Sequence, residues 1–228
     1  MDFSRRATHL QEQMDDPEAD ETLLFNTFAQ FDRVNRLLAN WSSVFRLHML
    51  PFMREAKRPI QVLDIGGGGG DVMRHLHQLA QARGMELHSK IIDPDDRARR
   101  FHEQHHGISS TYEAVHLQTI VDRGETYDFV LSNHVLHHLE DDDVHALCLA
   151  AAQAARHKVI FNDIHRQRLA YTLFTTTMPL LFRNSFVVED GGLSIQRSFT
   201  PLELRAVVPD GWRVDTLFPF RLLAIYEH

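Results

Sequence analysis

Asp64 and the glycines behind it are the residues of this chain best placed to do chemistry. The stretch V-L-D-I-G-G-G-G-G-D, Val62 to Asp71, passes from apolar residues through a carboxylate into five consecutive glycines. It reads as a buried parallel strand turning into a helix; glycine lacks Cβ, so a ligand can come within contact distance of the backbone. That describes a nucleotide-cofactor site at the carboxyl edge of an α/β sheet. The dinucleotide spacing G-x-G-x-x-G fails in every frame, because the third position falls on Asp71, Val72 or Met73. A Walker A loop is excluded as well, since no lysine follows the glycines.

The spacing that does fit is D-x-G-x-G-x-G, carried by Asp64, Gly66, Gly68 and Gly70, with Gly67 inside the loop. Here the chain resembles the class I S-adenosylmethionine-dependent methyltransferases. An aspartate at this turn is poor company for a pyrophosphate but suits a cofactor that carries an ammonium and a sulfonium. The resemblance implies that Asp64 and the glycines frame the methionine end of S-adenosylmethionine. It places Asp93, followed by Pro94, on the ribose hydroxyls, and Asn133 beside the methionine moiety. The segment S-N-H-V-L-H-H-L, Ser132 to Leu139, resembles the strand-four motif of many small-molecule methyltransferases. The chain departs from the family after strand three, where an acidic residue commonly binds the adenine amine. Around His116, Leu117 and Gln118 there is none, which leaves Gln118 or a backbone group for that contact.

A phenol or enol acceptor must lose a proton, and a histidine near its ordinary pKa suits that task. His165 and His134, at expected strand ends facing the cofactor edge, are the first candidates for general base, with Asp163 available to orient an imidazole. His137 and Arg197 are candidate acceptor-binding residues, Arg197 in a loop read from E-D-G-G-L-S-I-Q-R-S. For each histidine, a capping or packing role is the plain alternative.

The elements that must position these residues follow from patterning. Strands are expected at Ile60–Ile65, Glu86–Ile92, somewhere in 109–117, Tyr127–Asn133 and Lys158–Asp163, alternating with helical stretches. Two further strand-like runs, Trp212–Phe218 and Phe220–Tyr226, close the chain as a hairpin. Together with the resemblance, this implies an α/β fold: a Rossmann-like, doubly wound, seven-stranded sheet whose last strand is antiparallel. Apolar residues at helical spacing from Leu24 to Phe52 are read as helices that pack together or cover the cofactor edge. Residues 1–56 are accordingly expected to form an N-terminal helical cap, and 57–228 the cofactor-binding core, with an apolar helical insert at about 165–183.

Composition narrows the partners. With 228 residues, 43% hydrophobic content and a net charge of −7, the chain can bury one sizeable core and shows no general basic face for nucleic acid. The lone Cys148 has no disulfide partner, and the sixteen histidines show no C-x-x-C or H-E-x-x-H spacing, so no metal is expected. No apolar run approaches the ~18 residues of a membrane span, and the N-terminus lacks the apolar region of a signal peptide. A cytoplasmic location is expected, with a homodimer left open. The narrower likeness is to ubiquinone/menaquinone-type and polyketide-associated methyltransferases. It rests on D-D-P-E-A-D, V-N-R-L-L, N-D-I-H-R (Asn162–Arg166) and D-G-G-L-S-I-Q-R-S-F-T (Asp190–Thr200). It implies O- or C-methylation of a small aromatic, quinol or polyketide-like acceptor. The alternatives are methylation of protein or RNA, or a non-catalytic subunit that only binds the cofactor.

Overall fold

The apolar runs become the strands of one mixed sheet in the computed structural model, which describes residues 3–105 and 110–228. After an extended N-terminal arm come α1 (Glu21–Leu38), α2 (Trp41–Val44), a π-helical turn (Phe45–Met49) and α3 (Leu50–Ala56). The alternating core follows: β1 (Ile60–Ile65), α4 (Asp71–Gln81), β2 (Leu87–Ile92), α5 (Asp96–Gln104), β3 (Ser110–Glu113), α6 (Leu117–Asp122), β4 (Tyr127–Asn133), α7 (Asp141–Ala154) and β5 (Ala155–Ile164). The chain closes with α8 (Arg168–Thr177), α9 (Val187–Arg197), α10 (Pro201–Val207), β6 (Arg213–Leu217) and β7 (Arg221–Glu227).

The seven strands lie in the order β3-β2-β1-β4-β5-β7-β6. The first five are parallel, and β7 runs antiparallel to both β5 and β6. This is the doubly wound sheet that the sequence implied. Because β1 pairs with β4 as Asp64↔Leu131, and β4 with β5 as Asn133↔Asn162, the strand ends fall on one edge. Asp64, Asp93, Asn133 and Asp163 therefore converge there, where open α/β sheets bind ligands.

Helices cover both faces, as the near-continuous apolar strands require. On one face Trp41, Val44, Phe45, Met49 and Met53 pack with α4 onto Val62, Leu131, Ile160 and Leu223. On the other, α6, α7 and α10 bury Leu63, Val130, Phe161 and Leu222, and Cys148 lies among them. Local chemistry sets the helix starts. Asp20 caps α1 by accepting from Leu23 N, and Thr200 with Glu203 forms a capping box behind Pro201.

One stretch differs from the sequence reading. The Gly191-Gly192 segment is helical within α9, not a loop. A Cβ on Gly191 would lie 2.3 Å from the Phe174 ring, so the glycine lets α8 and α9 approach closely, and this packing outweighs its low helix propensity. The arm before α1 is tied down. Gln13 N and Met14 N donate to the Asp190 carboxylate, and Glu12 is only 4% exposed. His105, at the end of α5, stacks on Phe101, and His106 lies outside the described residues.

Candidate functional site

The turn after β1 sets the site. Gly66 has φ +65°, and a Cβ there would meet Val135 at 2.5 Å; Gly68 has φ +50° with only Phe28 within 4 Å. Gly66, Gly67 and Gly68 line a cavity of about 1080 Å³ at the carboxyl edge of the sheet. That volume lies just above the roughly 300–1,000 Å³ typical of small-ligand sites. Gly70 does not line it; with φ +76° it caps the N-terminus of α4.

Acids dominate this end. Asp64 is 1% exposed, and neither of its carboxylate oxygens has a hydrogen-bond partner. Burial, and then repulsion from Asp71 and Asp93, push it well above the usual carboxylate range. Asp71 is raised to about 6, again mainly by burial, although Asn35 Nδ2 donates to it at 2.9 Å. Asp93 is also raised, chiefly by burial; it accepts from Gly68 N at 3.0 Å and Asp95 N at 2.9 Å, which leaves each oxygen a further lone pair. Buried carboxylates in this state fit a ligand that brings positive charge and a diol. Asp64 and Asp71 suit an ammonium or sulfonium, Asp93 with Pro94 suits ribose hydroxyls, and the Gly68 backbone permits close approach.

The strand-four edge is held by side chains that the motif reading did not single out. Asn133 lines the cavity with its Oδ1 accepting from Trp41 Nε1 at 3.0 Å. Arg221, at the start of β7 and 3% exposed, donates to Asn162 Oδ1 at 2.8 Å and to His134 Nε2 at 2.7 Å. An arginine opening the otherwise apolar R-L-L-A-I-Y run was the available signal. Asn35 reaches the site through Asp71, whereas Arg36 bonds Gln78 on the surface. Gln118 is spent on Asp122 and does not line the cavity.

The expected bases are redistributed. His134 lines the cavity, but burial and the Arg221 charge hold it well below its ordinary pKa, and its Nε2 lone pair is engaged by Arg221. His165 lies outside the cavity lining, where its backbone N–H donates to Phe220 O and Gln167 reaches its ring. Strand alternation turns the neighbouring Asp163 to His137 instead, at 2.7 Å on Nδ1. His137 lines the cavity at 1% exposure and, despite the opposing effect of burial, is raised to about 9 by Asp163 and Glu12. Arg197 is not in a loop and is not free for an acceptor. From the last turn of α9 it donates to the carbonyls of His137, His138 and Leu10. His165→Ala is accordingly expected to change turnover by less than about twofold, as substitutions away from strained or buried features do little; steady-state kinetics check this.

Comparison with known proteins agrees with this geometry. A family described as "Methyltransferase domain" matches residues 45–185. A ubiquinone biosynthesis O-methyltransferase of Chelativorans sp. (strain BNC1) is 30% identical over 37% of this chain and 32% of its own length. The alignment thus spans about a third of that curated relative. Human N-acetylserotonin methyltransferase with S-adenosylmethionine superposes with a TM-score of 0.59 at 14% identity, covering 91% of this chain and 56% of that one. Magnesium protoporphyrin IX methyltransferase from Synechocystis PCC 6803, with S-adenosylhomocysteine, gives 0.50 at 16% identity over 93% and 89%. Since the family match takes in more than half of the 228 residues and reaches from the π-helical turn past α8, the chain belongs to the methyltransferase domain family.

Proposed function

We propose that the chain methylates a small acceptor with an aromatic, quinol or polyketide-like body, at oxygen or carbon. The observation that carries this reading is the apolar half of the cavity. Beyond the acids and glycines, it is walled by Phe31, Val34, Leu38, Leu173, Phe174 and Met178. Such walls suit a flat or long-tailed apolar molecule, and an acidic protein with an apolar slot is a poor match for RNA. We further propose that α1 and the 165–183 segment act as the lid over this slot, with 57–228 as the core. The partial match to ubiquinone O-methyltransferases supports the quinol class.

S-adenosylmethionine brings an activated methyl group, so the protein's part is to bind, orient and keep water out. Asp64, Asp71 and Asp93 hold the cofactor, and the aliphatic and aromatic walls align the acceptor. Alignment of this kind accounts for roughly 7–11 kcal/mol of a bimolecular barrier. The test is release of S-adenosylhomocysteine with a panel of phenols and quinols, against protein and RNA fractions. Turnover confined to the macromolecular fractions would refute the small-acceptor reading. Stabilisation by NAD and not by S-adenosylhomocysteine would refute the cofactor geometry, since a true ligand adds ~2.7 kcal/mol at 100-fold over its Kd.

Cofactor affinity should also depend on pH. Asp71, raised to about 6, contributes stability to the ligand-free protein below the ordinary carboxylate range, and that contribution is lost as pH rises through about 6. A cationic ligand favours the ionised form and must expel the proton. Affinity for S-adenosylmethionine is therefore expected to fall as pH is lowered through about 6, by up to about tenfold per pH unit for the Asp71 proton, with the raised Asp64 adding to the fall. Calorimetry between pH 5 and 8, in buffers of different ionisation enthalpy, would show the released proton.

A further inference from the structure

We infer that Glu12, His137 and His138 form a site for a first-row divalent metal ion, zinc above all, in the same cavity. Their ligand atoms all lie within 4.8 Å of one another, and all three residues line the cavity. His137 Nε2 stands 3.4 Å from Glu12 Oε1, and His138 Nε2 stands 3.9 Å from Glu12 Oε2. Charge-assisted N–H···O bonds close to about 2.7–2.9 Å. Two ligands on a tetrahedral zinc ion, each about 2.0–2.1 Å from it, stand about 3.4 Å apart. The separation fits a shared ion better than a hydrogen bond. Independently, His137 Nε2 is buried with no hydrogen-bond partner, in a residue 1% exposed.

The surroundings hold both rings in the orientation that ligation needs. Asp163 Oδ1 lies 2.7 Å from His137 Nδ1, and Asp15 Oδ2 lies 3.0 Å from His138 Nδ1. A carboxylate only accepts, so each Nδ1 carries a hydrogen, and each Nε2 faces Glu12, where a metal ion would displace any proton it holds. Carboxylate–histidine pairs of this kind are the usual outer support of metal-bound imidazoles. Ser194 Oγ donates to Glu12 Oε1 at 2.8 Å, and Arg197 pins the carbonyls of His137 and His138. Two imidazoles and one carboxylate select zinc, iron or cobalt over magnesium or calcium. Three protein ligands leave a fourth position open, which is the arrangement of catalytic rather than structural zinc.

The assignment deepens the proposed function, on which its chemical role rests. An acceptor hydroxyl in the open position would release its proton to water and present a nucleophilic oxygen. The oxygen–methyl bond then forms as the methyl–sulfur bond breaks, with its electron pair going to sulfur to give the neutral thioether. This supplies the deprotonation for which neither His134 nor His165 is placed.

The experiment takes the full chain, stripped with EDTA, and titrates it with Co²⁺ followed by visible absorption and with Zn²⁺ by calorimetry. One equivalent of each is expected, with tetrahedral d–d bands from cobalt. Glu12→Gln and His138→Gln should each weaken Zn²⁺ by about 100-fold or more while S-adenosylhomocysteine still binds, which shows that the variants are folded. Cobalt without d–d bands, or Zn²⁺ affinity equal in wild type and the double variant, overturns the site. Metal binding without turnover of any phenol or quinol would refute the proposed function and leave the site standing. Equal turnover by stripped and zinc-loaded enzyme would overturn its activating role.

Discussion

Asp64→Asn is expected to make the ligand-free protein more stable and its cofactor binding weaker. The Asp64 carboxylate is buried, unpartnered and repelled by Asp71 and Asp93, so the folded chain carries a cost that only a cationic ligand relieves. Asn carries no carboxyl that must be held neutral against its ordinary ionisation, so the ligand-free variant should be the more stable at neutral pH. Losing a charge-assisted contact of ~1.5–3 kcal/mol should weaken S-adenosylmethionine by about 10- to 150-fold. Denaturant titration of the ligand-free proteins and calorimetry of the complexes measure the two halves. An Asn variant that is less stable and binds the cofactor as well as wild type would reduce Asp64 to a turn former.

The second large effect lies at the opposite end of the sheet. Asp128, 1% exposed at the start of β4, accepts two bonds from Arg58 at 2.8 Å each, one from Gln61 N at 2.9 Å, and contacts from Arg156 at 3.2 and 3.3 Å. Burial pushes its pKa up, but these partners overcome it and bring the carboxyl down to about 2. Asp128→Ala orphans a backbone N–H and two guanidiniums. Breaking a buried pair costs ~3–5 kcal/mol; because both arginines are nearly half exposed, the lower figure applies, a fall in Tm of about 6–12 °C. A depressed carboxyl stabilises above its unfolded pKa and loses that contribution as pH falls towards its folded value. The gap between wild type and variant should therefore close between about pH 4 and 2. Cofactor affinity should stay within about twofold, because Asp128 is absent from the cavity lining. A Tm change under about 2 °C at neutral pH would show that water, not the arginines, satisfies this carboxylate.

What the sequence made legible was whatever local pattern alone determines. β1 and β4 end where the apolar runs meet Asp64 and Asn133, since a fully buried parallel strand must be apolar throughout. The acid-and-glycine turn is legible for the same reason, its backbone geometry demanding particular residue types. Partnerships across the chain were not. Asp163 is two residues from His165 in sequence but bonds His137, 26 positions away, because β5 presents it to the turn after β4. Glu12 sits in a polar stretch with nothing to mark it, and its burial depends on α9, which the Gly-Gly pair disguised as a loop. Arg197 went astray with that loop.

The order of strands has a consequence for synthesis. Among the described residues β6 is held in the sheet only through β7, which leaves the ribosome after it. Until Arg221–Glu227 is made, a nascent chain holds β1 to β5 and an unpaired edge carrying Val159, Ile160 and Phe161. Such an edge is a template for aggregation. Arg221 belongs to that same late strand, so the clamp on Asn162 and His134 forms only as the edge is sealed.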